Sequence, residues 1–208
     1  GEHELRKGNV VGGAFTWTVL ATAAGGGDDE AVNPTATKSP TTSATTSPTR
    51  NSTPTIDPKA QPAVDAYLAY VTASNNALRK PRGLGETLAP GADYNKYSFD
   101  PAKSSLSAVI LRLSSQGLRM TGDPGKPRIQ LQSLEIGAKP YPLVVLSDCP
   151  TPPVQWHPTD AKTGKDVSAP LPSGVAAPPY KTTVQVILLQ GHWGVSRTTS
   201  DSSRTCSA

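Results

Sequence analysis

The chain has 208 residues, of which 21 are proline and only 5% aromatic, and its 20 Lys/Arg against 16 Asp/Glu give a formal charge of +4. That length holds one ordinary domain plus additional sequence, and so much proline with so few aromatics excludes a packed core along the whole chain. The positive surplus falls in the part after residue 58 and is scattered, with Arg79-Lys80-Pro81-Arg82 the one dense cluster; a nucleic-acid footprint needs clustered cations with stacking aromatics, so a solvated basic surface facing an anionic cell envelope is expected instead.

Arg6-Lys7 precedes the moderately apolar run GNVVGGAFTWTVLATAA, which is too short to span a bilayer stably. A positive start, a short apolar middle and small residues at the end describe an export leader over residues 1–24, with Ala21-Thr22-Ala23 meeting the A-x-A cleavage rule. The following GGGDDE looks like the flexible start of a mature bacterial lipoprotein, in which a lipidated cysteine stands just before that run; here Ala24 meets Gly25 directly. Cleavage after Ala23 is therefore expected for the sequence as written, and lipid anchoring if a cysteine belongs there natively. Residues 25–58 form the next segment, and within it NPTATKSPTTSATTSPTRNSTPTIDP carries one sizeable aliphatic, Ile56. Too little apolar surface is available there to offset the entropy of ordering, so a disordered, proline-extended stalk is expected.

From Lys59 the pattern changes, and residues 59–208 are expected to form the folded domain. QPAVDAYLAYVTASNNALRK places Val64, Tyr67, Leu68, Val71 and Leu78 on one helical face, with Pro62 in the first turn, Arg79-Lys80 at the negative end and Pro81 as the stop. SFDPAKSSLSAVILRLSSQG reads as a second helix, capped by Asp100, with Pro101 at its first position, a stripe of Leu106, Val109, Ile110 and Leu113, and Gly117 at the left-handed exit.

After that the period falls to two. LRMTG ends in the turn DPGKP, and RIQLQSLEI follows with its alternation slipping between Leu131 and Leu134, which implies a bulge. YPLVVLSDC, VQWHP, YKTTVQVILLQ and WGVSRTT read as further strands, with Gln190-Gly191-His192 a tight hairpin loop and Lys162-Thr163-Gly164-Lys165 a turn. Helix, helix, then five or six antiparallel strands make an α+β domain in which two N-terminal helices pack on one sheet.

That order, with SQGLRMTG, VVLSDC and GHWGVSRTTSDSSRTC, resembles secreted and lipid-anchored actinobacterial proteins of the nuclear transport factor two-like superfamily. The resemblance covers about residues 61–206 and implies a helix pair covering a strongly curved sheet to make a cone. It also implies an aspartate-cysteine pair ending a middle strand, a tryptophan opening the last strand and a cysteine closing the chain, places held here by Asp148-Cys149, Trp193 and Cys206. CPTPP departs from it, because a second acidic residue is common after that cysteine. Members include isomerases, dehydratases, cyclases and hydrolases as well as non-enzymatic binding and dimerisation modules, so the fold does not choose a function.

Cys149 and Cys206 are the two cysteines, and an even count in an exported chain suggests a bridge. There is no Cys-x-x-Cys, two cysteines with two scattered domain histidines make no zinc set, and prolines 150, 152 and 153 crowd Cys149 as a nucleophile. The catalytic candidates are weak: Asp148 as a carboxylate of raised pKa at a strand end, and His157 as its relay. Against each stands a structural role, Asp148 accepting backbone hydrogen bonds and His157 facing solvent where Pro158 stops a strand. Tyr67, Tyr70, Trp156 and Trp193 are candidates to line a cone cavity, the tryptophans doubling as core anchors, while His192 belongs to a turn and Asp65 to a polar face. No glycine phosphate loop, nucleophile elbow or paired-carboxylate motif occurs, so no cofactor or metal is expected.

The expected function is that of an exported, envelope-associated, non-catalytic binding domain on a stalk, outside the cytoplasm and near the membrane through its leader or lipid. Its partner would be an envelope protein or a small apolar ligand, with a homodimer possible. A small-molecule lyase or isomerase using the cone cavity is the alternative, distinguished by at least two titratable groups converging on one enclosed point.

Overall fold

The computed structural model describes residues 56–206 apart from 152–154, 174 and 176. The leader and nearly all of the stalk expected from the sequence lie outside the described residues. A compact unit runs Pro54–Ala208. Residues 56–58, read from the sequence as stalk, belong to that unit. Ile56 packs against the core, and the Asp57 carboxylate accepts from the Lys59 amide to start a 3-10 turn at Pro58–Ala60.

Helix α1, Gln61–Arg79, follows at once, with Pro in its first turn and the Lys80 amide closing on the Asn76 carbonyl. Its buried face comprises Ala63, Val64, Tyr67, Tyr70, Ala73, Ser74 and Ala77. The stripe expected through Leu68 is rotated, since Leu68 is 39% exposed and Tyr70 is buried instead. A second 3-10 turn, Tyr94–Tyr97, leads to helix α2, Ala102–Ser115. Pro101 takes the capping position rather than the first helical one, and Asp100, one residue before it, accepts from the Ser104 amide of the first turn. Ile110 and Leu113 are buried, and Gly117 ends the helix at φ 65°.

Six strands follow: β1 Leu118–Thr121, β2 Ile129–Glu135, β3 Leu143–Asp148, β4 His157–Asp160, β5 Tyr180–Leu189 and β6 His192–Thr205. The single sheet expected from the sequence is two antiparallel sheets, one of four strands in the order β2-β3-β5-β6 and one pairing β1 with β4. Strand β4 begins at His157 and runs through Pro158, where the sequence reading ended it. Proline is tolerated because the only strand β4 pairs with is β1, its other side making just the isolated Thr159–Asp166 bridge, so the missing N–H interrupts no central ladder.

Three register shifts shape the larger sheet. Gln132 is the extra residue between the pairs Leu131–Leu146 and Ser133–Val145, the bulge that the broken alternation implied, and its amide donates to Ser147 Oγ at 3.1 Å. Ser196 is extra opposite Gln185 and Val186, and its hydroxyl donates to the Gln185 carbonyl. Near the chain end, Thr182 pairs with Ser200 but Tyr180 with Thr205, so residues 201–204 bulge opposite Lys181. Gln190 and Gly191, at φ 54° and 82°, make the two-residue loop that joins β5 to β6. The free side of β6 is partly covered by a parallel bridge from Ser98 to Val195.

Val144, Leu146, Val184, Val186 and Val195 carry no exposed surface and form the centre of the core, onto which the buried residues of α1 pack. Among the described residues no helix is long and apolar enough to cross a membrane.

Candidate functional site

Asp148 ends β3 and is 4% exposed. Its two oxygens have separate partners: the Tyr67 hydroxyl donates to Oδ2 at 2.7 Å and the Arg128 backbone N–H to Oδ1 at 2.8 Å. A carboxylate can be buried at tolerable cost only when such donors replace its water. One donor comes from the middle of α1 and the other from the residue before β2, so Asp148 ties the helix to two strands.

Tyr67 is held from the other side by burial. Removal from water pushes its phenol well above the usual range, and the Asp148 charge and hydrogen bond push it further. Tyr70, one turn on, is raised chiefly by burial and further by Tyr94, with the neighbouring Ser74 hydroxyl working the other way. Ser74 Oγ is buried without a hydrogen bond of normal geometry. Tyr94 meets Ser107 of α2 at 2.8 Å, which links the second 3-10 turn to that helix. Tyr67 and Tyr70 are both buried members of the core cluster between helix and sheet.

Cys149 follows Asp148 and is bridged to Cys206, with Cα atoms 5.6 Å apart. β3 and β6 are not neighbours, since β5 lies between them. The bridge therefore crosses the start of β5, where the Cys206 amide also donates to the Pro179 carbonyl. Residues 148 and 149 together fasten α1, β2, β3 and the end of β6 at one corner.

His157 is elsewhere. It opens β4 in the smaller sheet, its Nδ1 is 2.8 Å from the Gln155 carbonyl, and its Nε2 lies 3.9 Å from Asp166. Asp166, an exposed carboxylate, is held below the usual carboxylate range mainly by the Ser168 hydroxyl and amide, with a smaller contribution from His157. The two catalytic candidates thus have separate sets of partners in separate sheets. Trp156 is half-buried beneath the Arg79 guanidinium, 4.9 Å from the ring centroid, and Arg79 also donates to the Gly122 carbonyl. Arg79 thereby pins the end of α1 both to the turn after β1 and to the residue before β4.

Trp193 is placed differently. It packs against the core on one side and lines a solvent-open groove of about 600 Å³ on the other. The groove is bounded by the start of α1, including Asp65 and Ala66, by Asn95, Lys96 and Tyr97 of the second 3-10 turn, and by His192. The hairpin loop delivers His192 and Trp193 to it directly. Phe99 braces that hairpin, its ring 4.9 Å from that of His192 and against Gly194, where any Cβ would lie 2.7 Å from the Phe99 ring. Sequence reasoning missed Asn95, Lys96 and Tyr97. The aromatic-polar alternation of YNKY was their only local signal, and the turn that aims them at Trp193 is set by distant contacts. Among the described residues no group of His, Cys, Asp and Glu could hold a metal ion.

No protein-family model matches the chain, and no curated protein does. Among solved structures, the intermembrane-space region of the chloroplast protein ARC6 overlaps 72% of this chain and 99% of its own, at TM-score 0.45 and 11% identity. A ketosteroid isomerase-like protein from Erwinia carotovora atroseptica overlaps 70% of this chain and 96% of its own, at TM-score 0.30 and 16% identity.

Proposed function

We propose that the chain is an exported, envelope-associated binding protein whose domain is non-catalytic, carried on a proline-rich stalk and built as a cone of the nuclear transport factor two-like kind. The observation that carries this reading is the commitment of Asp148. A general base must bring an oxygen within hydrogen-bond reach of a substrate proton, and Asp148 is only 4% exposed. Both Asp148 oxygens already accept hydrogen bonds from groups of the fold, and His157 has its own partners in the other sheet. The disulfide is compatible with an oxidising compartment, and the export leader and stalk read from the sequence agree with it.

Native and denaturing mass spectrometry of the protein from its own source tests this. A mass equal to the chain short of two hydrogens, unchanged on denaturation, is expected. A small molecule released on denaturation that the folded protein also converts to a product would favour a cavity enzyme of the lyase or isomerase kind instead.

A further inference from the structure

The groove beside Trp193 is not explained by the stability of the fold. Trp193 and Tyr97 are both partly buried against the core, yet each leaves part of its surface in the groove. Such half-seated aromatics present rigid apolar surface, which suits a ligand with flat C–H faces. Around them stand groups of both hydrogen-bonding kinds: the Asp65 carboxylate accepts, the Lys96 ammonium donates, and the Asn95 amide and His192 imidazole do both. Asp65 is steadied by the Gln61 side-chain amide at 2.8 Å, and Lys96 by Asp93 at 3.6 Å.

With one carboxylate, Asp65, and one ammonium, Lys96, on its rim, the groove has no net sign with which to select an ion. A neutral ligand whose hydroxyls both donate and accept matches this rim. The groove is also open to solvent, so its occupant need not fit inside it whole and can be a segment of a longer chain. Alternating apolar ring faces and equatorial hydroxyls along an extended chain are the chemistry of an oligosaccharide.

We propose that this groove binds a neutral oligosaccharide, with pyranose faces on Trp193 and Tyr97 and hydroxyls on Asp65, Asn95, Lys96 and His192. The proposal rests on reading the domain as a non-catalytic envelope binder and names its ligand class. It assigns a structural reason to the short hairpin loop, which sets Trp193 at the rim, and to Gly194, which admits the Phe99 brace.

The test is binding of the purified domain to an immobilised panel of neutral oligosaccharides, both N-acetylated and plain hexose chains, followed by titration of any chain retained. Trp193→Phe removes part of the platform, but it also touches the core. Ala66→Trp fills the groove from α1, where Ala66 also packs against the core, so it counts only when the fold is unchanged, and Asn95→Ala trims an exposed rim group. Saturable binding that is insensitive to salt and weakened at least about tenfold by Ala66→Trp, with unchanged circular dichroism, is expected. Retention of no oligosaccharide by the folded protein, or binding that Ala66→Trp leaves unaltered, would overturn the proposal. So would a proline-rich peptide binding the same groove in place of sugar. If the panel is blank while the domain still sediments with its own envelope fraction, the saccharide is wrong and the binding reading stands.

Discussion

The Tyr67 hydroxyl donates to Asp148 Oδ2 across 2.7 Å, joining the middle of α1 to the end of β3 over 81 residues of sequence. With the Arg128 amide on the other oxygen, it makes Asp148 a fastening of the fold. The same carboxylate is the base candidate in the sequence, so its burial and hydrogen bonds are what the proposed non-catalytic reading rests on.

Removing the phenol oxygen leaves a buried carboxylate short of a donor. Tyr67→Phe is expected to destabilise the domain by about 1–3 kcal/mol in urea unfolding, and Asp148→Ala by more, because it also orphans the Arg128 N–H. If the phenylalanine variant unfolds at the wild-type midpoint, the bond contributes nothing to stability.

Alkaline titration follows from the same contact. A phenol whose folded pKa is raised above the ordinary 10.0 holds its proton longer in the folded state than in the unfolded one. Stability from Tyr67 is therefore complete below about pH 10 and falls above it, by about 1.4 kcal/mol per pH unit. Tyr70 shares the direction. Phenolate absorbance is expected to appear for these two tyrosines only together with unfolding, while native-state ionisation of all six tyrosines in the chain near pH 10 would refute it.

The disulfide closes a loop of 57 residues in sequence separation. In the chain-entropy account that contributes about 4 kcal/mol, so reduction should lower the unfolding free energy by roughly that amount. Hydrogen exchange should quicken first at the polar end of β6, which has the bridge and the Thr205–Tyr180 pair to hold it. Uniform exchange along β6 in the reduced protein would show that the end is held by other contacts.

Two glycines with positive φ should respond differently to alanine. At Gly117, φ 65°, an added Cβ meets nothing within 4 Å, so only backbone strain remains, about 1 kcal/mol. At Gly122, φ 91°, the Cβ would fall 1.8 Å from the Gln155 carbonyl oxygen, so the corner that seats Arg79 and Trp156 must open. Gly122→Ala is expected to cost more than about 3 kcal/mol in thermal or urea unfolding. Equal costs at the two positions would contradict this packing.

Local chemistry made part of this fold readable. Pro62, Asp100, Gly117 and Pro81 punctuate the helices because caps and breakers act within one turn, and the slip between Leu131 and Leu134 reports a bulge because strand alternation is itself local. What depended on distant partners was not readable. α1 buries Tyr70 in place of Leu68, a rotation consistent with the Tyr67–Asp148 bond, which no helical periodicity encodes. β4 passes through a proline because it is paired along its length on one side only, and β6 extends over TTSDSSRT although that stretch has no apolar alternation. Of the site, Cys149 and Cys206 were legible from their number, and Asp148 from its place at a strand end. The groove was not, since Tyr97 and Trp193 meet only after the 3-10 turn and the hairpin are folded.

The most direct test of the central claim is envelope binding by the Asp148→Asn, His157→Ala double variant. Asparagine keeps the shape of Asp148, accepts from the Arg128 amide through its carbonyl and can donate to the Tyr67 oxygen, so the fastening survives while any base is removed. Sedimentation of the folded variant with its own envelope fraction at the wild-type level is the predicted result. A folded variant that has lost its biological role, with a metabolite accumulating that the wild type consumes, would contradict a non-catalytic domain.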